Sequence, residues 1–496
     1  MAYYHVASQP QAVPPHTLDE VPLEILQSIF GYLDVPDIMR IRKVSRYLRG
    51  ISYSRDIWSD AYRRADFIKP PGPFLIQTVD DLESSLVASF KVDRNLRKGD
   101  VRYQKNAIKT REIRYTGIDL HVSLVFGRFL IIVLSDEVRC YDLNADAFDS
   151  NSGASIIYRP TGVLRSFHCL TAIDEDGGPF ACAVANEVTE GTRQITIYLL
   201  QVEGPEVSLS PIYQFENKDF DIETVELGPR VLAVQSIVDP GRHDRCLVAL
   251  DIRTRTQFML PPFIQTQWEM AESTNADDIT SPREFSTSTH LLLCMSLYSR
   301  VTGWCTHLEA FAIPPPNQLQ NFPDASPLSP SHRGFIPGIN LNRGTLLHDS
   351  VADPVTGDIL IKVRAHSFEP RRPRNPISSY GNICLHTTHS TTQSIGTIQF
   401  HILGPFGRTS STPFRHPSFN GTGRTFYTTI PGTYDKVAAL QYDVTGDGET
   451  KTVDYPCILR FPTTRALLDY DQYRGRLCLL ATMPKYRSIE ILDFAV

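Results

Sequence analysis

Nowhere does this chain of 496 residues present about 18 uninterrupted apolar residues, the length a helix needs to cross a bilayer. Its amino end, MAYYHVASQPQAVPPHTLDE, has no basic region followed by an apolar core, so it does not read as a secretory leader. Both absences set the expectation of a soluble protein inside the cell, in the cytoplasm and/or the nucleus. Cysteine is scarce: the nine are odd in number, scattered and never spaced as CxxC, which argues against a disulfide framework. Cys182, Cys246, Cys294 and Cys478 lie inside apolar strand-like runs, where a thiol in a reducing compartment packs as a small hydrophobe. The Asn420 sequon then never meets the glycosylation machinery. An excess of basic residues is missing too. With 49 Lys and Arg against 55 Asp and Glu, the formal net charge is −6, so neither nucleic acid nor membrane is an expected partner. No GxSxG, P-loop, HExxH, kinase signature or GxGxxG in a βαβ setting occurs, so no catalytic residue, metal or cofactor is expected.

What is present is an ordinary globular composition, 42% apolar and 21% charged, on a chain too long for one core. The reading divides it into a disordered lead over 1–17, a helical stretch over 18–67, a linker over 68–110 with a helix over 78–98, and an all-β region over 111–496. The expected fold class is multidomain, α followed by all-β.

The helical stretch, Leu18 to Phe67, has more apolar surface than so short a piece can bury alone. Its first helix is predicted from Pro22, where the missing N–H costs nothing, to near Leu33, with Glu20 and Glu24 at the positive end of its dipole. Leu23, Leu26, Phe30 and Leu33 make one stripe, and Pro22, Ile25, Ile29 and Tyr32 make a second beside it. One stripe packs at home; the other calls for company. A second helix, opening with Asp37, is expected to send Ile38, Ile41 and Val44 inward and Arg40, Arg42, Lys43 and Arg46 outward. With Arg49, these basic residues read as a solvated face balanced by nearby acids. A short third helix runs through Leu48 and Ile51, and Ile57, Trp58 and Tyr62 close the stretch as an apolar anchor. A unit of about 50 residues without cysteine is marginal unless something covers it.

In order and at the family's spacing, Val21-Pro22-x-Glu24-Ile25-Leu26-x-x-Ile29-Phe30-x-Tyr32-Leu33, then Pro36-Asp37-Ile38, Arg42-Lys43-Val44-Ser45-Arg46 and Trp58 closely resemble the F-box. Leu48 stands where a tryptophan is common, Ser45 where a cysteine is common, and Val21 replaces the leucine before the proline. The resemblance implies a three-helix unit that binds the Skp-type adaptor of a cullin ubiquitin ligase, while the rest of the chain holds a target protein. It implies adaptor-binding roles for Val21, Pro22, Ile25, Leu26, Ile29, Phe30, Leu33, Val44, Leu48 and Trp58, as contacts or as the residues that hold them.

Past the proline-rich turn Pro70-Pro71-Gly72-Pro73, Thr78 caps the linker helix. Asp80 and Asp81 lie in its first turn, Val79, Leu82, Leu86 and Phe90 form its apolar stripe, and Gly99 ends it. It reads as a rigid joint between the helical stretch and the all-β region. From about residue 111 short Val-, Ile- and aromatic-rich runs replace helical spacing. RFLIIVLSDEVRCYDL (128–143) recurs in form at 179–202, 230–252, 289–314, 358–405, 423–444 and 475–496. Each unit is a very apolar strand, a turn and a second strand, and a strand apolar on both faces suits a place between neighbouring blades. Seven units predict a seven-bladed β-propeller, similar to degenerate WD-repeat and kelch propellers but without their Trp-Asp, Gly-His or paired-glycine marks. Six or eight blades, or a pair of β-sandwiches, stay open. The last unit lacks an outer strand, and Arg111–Tyr115 is the segment expected to supply it.

Three polar clusters have ligand chemistry. Cys384, His386 and His389 are zinc-ligand types, but a fourth ligand is missing and strand alternation separates His386 from His389, so they read as ordinary strand or loop residues. Arg371, Arg372 and Arg374, in an insertion between Ser367 and Ile383, have the chemistry of a clamp for an acidic or phosphorylated peptide; a solvated loop is the plainer reading. Asp443, Asp447 and Glu449 fall short of EF-hand spacing and read as a hairpin turn. The leading function is thus the substrate-recognition subunit of a cullin-type ubiquitin ligase. The alternatives are an adaptor-binding scaffold outside any ligase and a propeller enzyme or ligand-binding protein tethered by its F-box.

Overall fold

The computed structural model describes residues 21–70, 72–75, 77–97, 109–115, 121–145, 154–174, 178–204, 206–217, 221–239, 244–260, 278–279, 283–300, 303–315, 318, 326–346, 350–352, 356, 358–368, 376–386, 395–405, 422–430, 433–444, 450–460, 465–482 and 487–495. The chain divides into two compact units, one ending at Lys91 and one beginning at Val92.

The first unit contains α1 (Leu23–Phe30), α2 (Val35–Ile41), α3 (Arg46–Ile51), α4 (Arg55–Arg64) and the first part of α5 (Val79–Arg97). Pro22 is the N-cap rather than the first helical residue, and its carbonyl accepts the N–H groups of Ile25 and Leu26 at 3.0 and 3.1 Å. α1 stops at Phe30, short of Leu33, because the Tyr32 and Leu33 N–H groups turn to the carbonyls three residues back. α3 starts on Ser45, whose Oγ accepts the Leu48 N–H at 3.1 Å. α4 makes four helices where three were expected, and its inward face is Ile57, Trp58, Ala61 and Tyr62. α5 opens on a reciprocal cap. Thr78 Oγ1 accepts the Asp81 N–H at 3.2 Å, while the Asp81 carboxylate accepts the Thr78 N–H and hydroxyl at 3.0 and 2.7 Å. Leu26, Phe30, Ile38, Leu48, Trp58, Tyr62, Leu82 and Leu86 form one core.

The sequence pattern places Val44 inside and Arg42 outside, and the structure reverses both. α2 ends at Ile41, so its helical phase does not extend through the next turn. Val44 is 67% exposed, whereas the Arg42 side chain keeps only 10% of its surface.

The second unit opens with the last residues of α5, where Asn95 Nδ2 donates to the Phe494 carbonyl at 2.8 Å. After β1 (Lys109–Tyr115) come two antiparallel meanders: β2 (His121–Val125), β3 (Phe129–Val133), β4 (Val138–Asp142) and β5 (Ala154–Tyr158), then β6 (Val163–Ile173), β7 (Pro179–Thr189), β8 (Thr192–Glu203) and β9 (Glu206–Asn217). β10 (Asp221–Leu227), β11 (Val231–Asp239), β12 (Asp244–Asp251) and β13 (Gln257–Met259) make a third. β14 (Asp278–Ile279) and β15 (Arg283–Ser286) both pair with β16 (His290–Ser299), which pairs with β17 (Gly303–Ala312). β18 (Ser326–Pro327) returns to the edge of β13, and β19 (His332–Pro337) pairs with β17. The following meander holds β20 (Ile339–Leu346), β21 (Val351–Ala352), β22 (Ile359–Phe368), β23 (Pro376–His386) and β24 (Gly396–Pro405). A short parallel pairing of β19 with β24 fuses these last two groups into one ten-stranded sheet. β25 (Thr422–Ile430), β26 (Thr433–Val444) and β27 (Thr450–Arg460) form a three-stranded sheet. β28 (Arg465–Asp471), β29 (Arg476–Thr482) and β30 (Arg487–Asp493) form a sheet with β1.

Alternating side chains of one strand serve two interfaces, which is why these strands are apolar throughout. On β3, Leu130 and Ile132 pack with Ile113, Ile489 and Ile491, while Phe129 and Ile131 pack with Phe167 and Ala183. On β7, Ala183 and Ala185 belong to that second layer, while Cys182 and Val184 face Leu232 and Val234 of the next sheet. Val231 and Ala233 meet Leu291 and Leu293, and Leu292 and Cys294 meet Val363 and Ile383. The first strands of the sheets lie in succession, β28 beside β2, then β6, β10, β15 and β20, with β25 also beside β28. Sheets stacked face to face with their first strands side by side are the packing of a propeller.

β1 lies antiparallel on β30, from Lys109 opposite Asp493 to Tyr115 opposite Arg487, so the segment expected to supply the outer strand of the last unit does so. One unit differs from its prediction. The partner of β22 is β23, not the 396–405 strand, and residues 376–382 of the supposed insertion between Ser367 and Ile383 belong to β23 itself. Pro376, Gly381 and Asn382 disguised it.

Candidate functional site

The first unit presents apolar side chains that its own core does not use. Pro22, Ile25, Ile29 and Tyr32, the second stripe of α1, are all exposed, Ile25 at 53% and Tyr32 at 86%. Leu23, assigned to the buried stripe, is exposed as well, and so are Val44, Tyr47 and Tyr53 between the end of α2 and the residues after α3. Contiguous apolar surface on a small helical unit marks a protein-interaction site. Of the other residues singled out in the sequence, Leu26, Phe30, Leu48 and Trp58 are buried, and Val21 and Leu33 pack half-buried against the same core. These shape the surface from behind.

Arg42 ties the unit together. Its Nη2 donates to Glu83 Oε2 at 2.6 Å and its Nη1 to Glu83 Oε1, a bidentate pair reaching from the end of α2 to α5. Its Nε donates to Ser52 Oγ at 2.7 Å, and its guanidinium lies 4.3 Å from the Tyr53 ring centroid and 5.2 Å from that of Trp58. The Trp58 indole N–H donates in turn to the Ser52 carbonyl at 2.8 Å. Sequence reasoning missed both ends of this pair. A usable signal was there: Glu83 follows buried Leu82 on α5, and the end of α2 releases Arg42 from the outward face.

In the second unit, polar bridges tie strands within a sheet and join neighbouring sheets. Asp469 accepts the Leu124 N–H at 2.7 Å, and Arg476 donates to Asp493 at 2.9 Å and to Asn144 at 2.8 Å. Arg230 donates to Asp251 and to the Pro314 carbonyl, each at 2.6 Å. Burial pushes the carboxyl of Glu284 up to about 7, against the hydroxyl of Thr224 at 2.9 Å. Burial likewise pushes the thiols of Cys140, Cys182 and Cys294 up to about 12, which leaves them unreactive.

His386 Nδ1 lies 2.9 Å from Asp358 Oδ2, within hydrogen-bond distance, and Cys384 is buried in the same strand. His389 and the Arg371, Arg372 and Arg374 cluster lie outside the described residues, as do Asp447 and Glu449. Among the described residues no three His, Cys, Asp or Glu side chains are placed to hold a metal ion, and no helix is long and apolar enough to cross a membrane.

His290 packs edge-on to His332, ring centroids 5.8 Å apart, near the seam between β19 and β24. Burial, helped by His332, holds the imidazole of His290 down to about 4. The unfolded chain, with its ordinary value near 6.5, takes up the proton first as pH falls. The contribution of neutral His290 is therefore complete above about pH 6.5 and is lost progressively between about 6.5 and about 4, to a total of roughly 3 kcal/mol. Melting temperatures across this range should fall less steeply for His290→Gln than for the wild type; parallel curves would refute the assignment.

Residues 18–64 match the family model described as F-box-like. No curated protein matches the chain. Among solved structures, the WD40 domain of SCAP from fission yeast aligns at 10% identity and a TM-score of 0.35, over 77% of this chain and 83% of that one. Prolyl oligopeptidase B from Galerina marginata aligns at 7% and 0.34, over 80% and 51%. The β-propeller domain of the Trilobed protease from Pyrococcus furiosus aligns at 10% and 0.29, over 66% and 96%. At such scores these likenesses carry no argument, and the propeller-like architecture stands on the stacked sheets themselves. The chain thus joins an F-box-like domain, a protein-interaction module, to a propeller-like β domain.

Proposed function

We propose that this protein is the substrate-recognition subunit of a cullin-type ubiquitin ligase. Its F-box-like unit binds a Skp-type adaptor, and its β unit, read as a seven-bladed propeller, binds a target protein and performs no chemistry. The observation that carries the reading is the exposed row of Pro22, Ile25, Ile29 and Tyr32 on a unit that matches the F-box-like family. Exposed apolar anchors of this kind become buried hot spots on binding, and truncating one costs on the order of 2 kcal/mol or more. We assign adaptor contact to Pro22, Ile25, Ile29 and Val44, joined by Leu23 and Tyr32, with Val21 and Leu33 at the edge. Leu26, Phe30, Leu48 and Trp58 act by holding these in place. α5 connects the adaptor-binding end to the target-binding end, and the arginines 371, 372 and 374 remain the target contacts to test.

Ile29→Asp should abolish adaptor binding in a pull-down while circular dichroism and melting stay unchanged, because this side chain is 43% exposed in the free protein. Retained binding by the folded double variant Pro22→Ala with Ile29→Asp would defeat the reading. Recovery of the cullin together with the adaptor separates a ligase receptor from an adaptor-bound scaffold outside any ligase.

A further inference from the structure

The turn from α2 into α3 and the far end of α3 enclose an open concavity of about 560 Å³ whose walls include Arg42, Lys43, Val44, Arg46, Arg49 and Tyr53. The sequence pattern suggests that nearby acids balance all the basic residues here, and the structure does so for only two. Arg40 pairs with Asp37 at 2.6 Å, and Arg42 pairs with Glu83. Lys43, Arg46 and Arg49 are exposed and have no hydrogen-bond or ion-pair partner among the described residues. Arg46 and Arg49 stand three apart on α3, on one face, and Lys43 comes from the preceding turn. Three cations without a partner among the described residues therefore surround one concavity on a chain whose net charge is −6. Val44 at 67% and Tyr53 at 44% exposure place apolar surface among them.

We propose that this concavity docks a carboxylate-rich segment of the adaptor and sets the rate at which the adaptor arrives. The proposal rests on the adaptor-binding reading above and deepens it. A concave site of one charge sign focuses its field outward and raises the encounter rate of an oppositely charged partner. Such rim charges act on the association rate and its salt dependence, while desolvated apolar anchors act on dissociation. The two sets of residues on this unit therefore divide the work: Ile25 and Ile29 hold the partner, and Lys43, Arg46 and Arg49 bring it in.

The test uses the full-length chain and a purified Skp-type adaptor, with association and dissociation rates measured across ionic strength. The variant carries Lys43→Gln, Arg46→Gln and Arg49→Gln together, all at exposed positions. Its association rate should be about tenfold lower than that of the wild type at low salt. The two rates should converge near 1 M salt, where the screening length is about 3 Å. Dissociation rates should change little. An unchanged association rate in the variant overturns the proposal, as does a loss confined to dissociation. So does a wild-type association rate that is flat with salt, which needs no variant at all. If the wild type binds no adaptor, the functional reading falls and takes this one with it. If the wild type binds and Ile29→Asp does not, but the triple variant associates normally, only the electrostatic proposal falls.

Discussion

Deleting residues 108–117 is expected to leave insoluble protein, although the stretch contributes only one short strand. β1 pairs with β30 over seven residues, and Ile113, 2% exposed, packs in the layer between this sheet and the one that begins with β2. Removing it strands the outer edge of β30 and opens the layer containing Leu124, Leu130, Ile489 and Ile491. At roughly 1 kcal/mol net for each ladder hydrogen bond and about 2 to 3 kcal/mol for a buried isoleucine, the loss is comparable with the whole stability of a domain. The exposed edge would also template pairing with other chains. Removing the last ten residues, which include all of β30, should do the same. Recovery of a soluble fragment starting at residue 117 that melts cooperatively would sink the idea that the two ends of the β region must meet.

Arg42→Met should destabilise the first unit by roughly 3 kcal/mol, the cost of leaving a mostly buried carboxylate without its partner. The pair is well shielded, with 10% and 18% of the Arg42 and Glu83 side chains exposed, so solvent screening discounts it little. The guanidinium also holds Ser52 and lies against Tyr53 and Trp58, which adds packing loss to charge loss. The readout is hydrogen exchange over residues 21–91 in the full-length chain, where faster exchange in α2, α3 and α5 is expected. Arg42→Met combined with Glu83→Leu should recover part of the loss, because no buried charge is then left alone. Equal exchange in the wild type and the single variant would show that the pair holds nothing.

Much of the fold was legible because it is written in local period. The stripe Pro22, Ile25, Ile29 and Tyr32 was readable as a second face, and it is exposed as that reading requires. The doubly apolar strands were readable as buried on both faces, and Val184 and Ala183 face opposite layers. The failures lie where period breaks. α2 is too short for its phase to predict Arg42 and Val44, and β23 carries Pro376 and Gly381, residues that strand patterning counts against a strand. The basic face looked neutral because sequence proximity stood in for contact. Arg42 takes its acid from 41 positions away, and Lys43, Arg46 and Arg49 take none among the described residues.

By itself the sequence determined the F-box-like motif at the amino end, the change from helical to strand period near residue 111, and the recurrence of paired apolar strands. These depend on neighbours a few positions apart, and backbone geometry turns such spacings into faces whatever the rest of the chain does. Only the tertiary structure decided which faces meet. It set β19 against β24, brought Glu83 to Arg42, and left Lys43, Arg46 and Arg49 around one concavity with no partner among the described residues. Each of these depends on where distant segments come to rest when the apolar layers stack, and the stacking is governed by burial summed over the whole unit rather than by any local run.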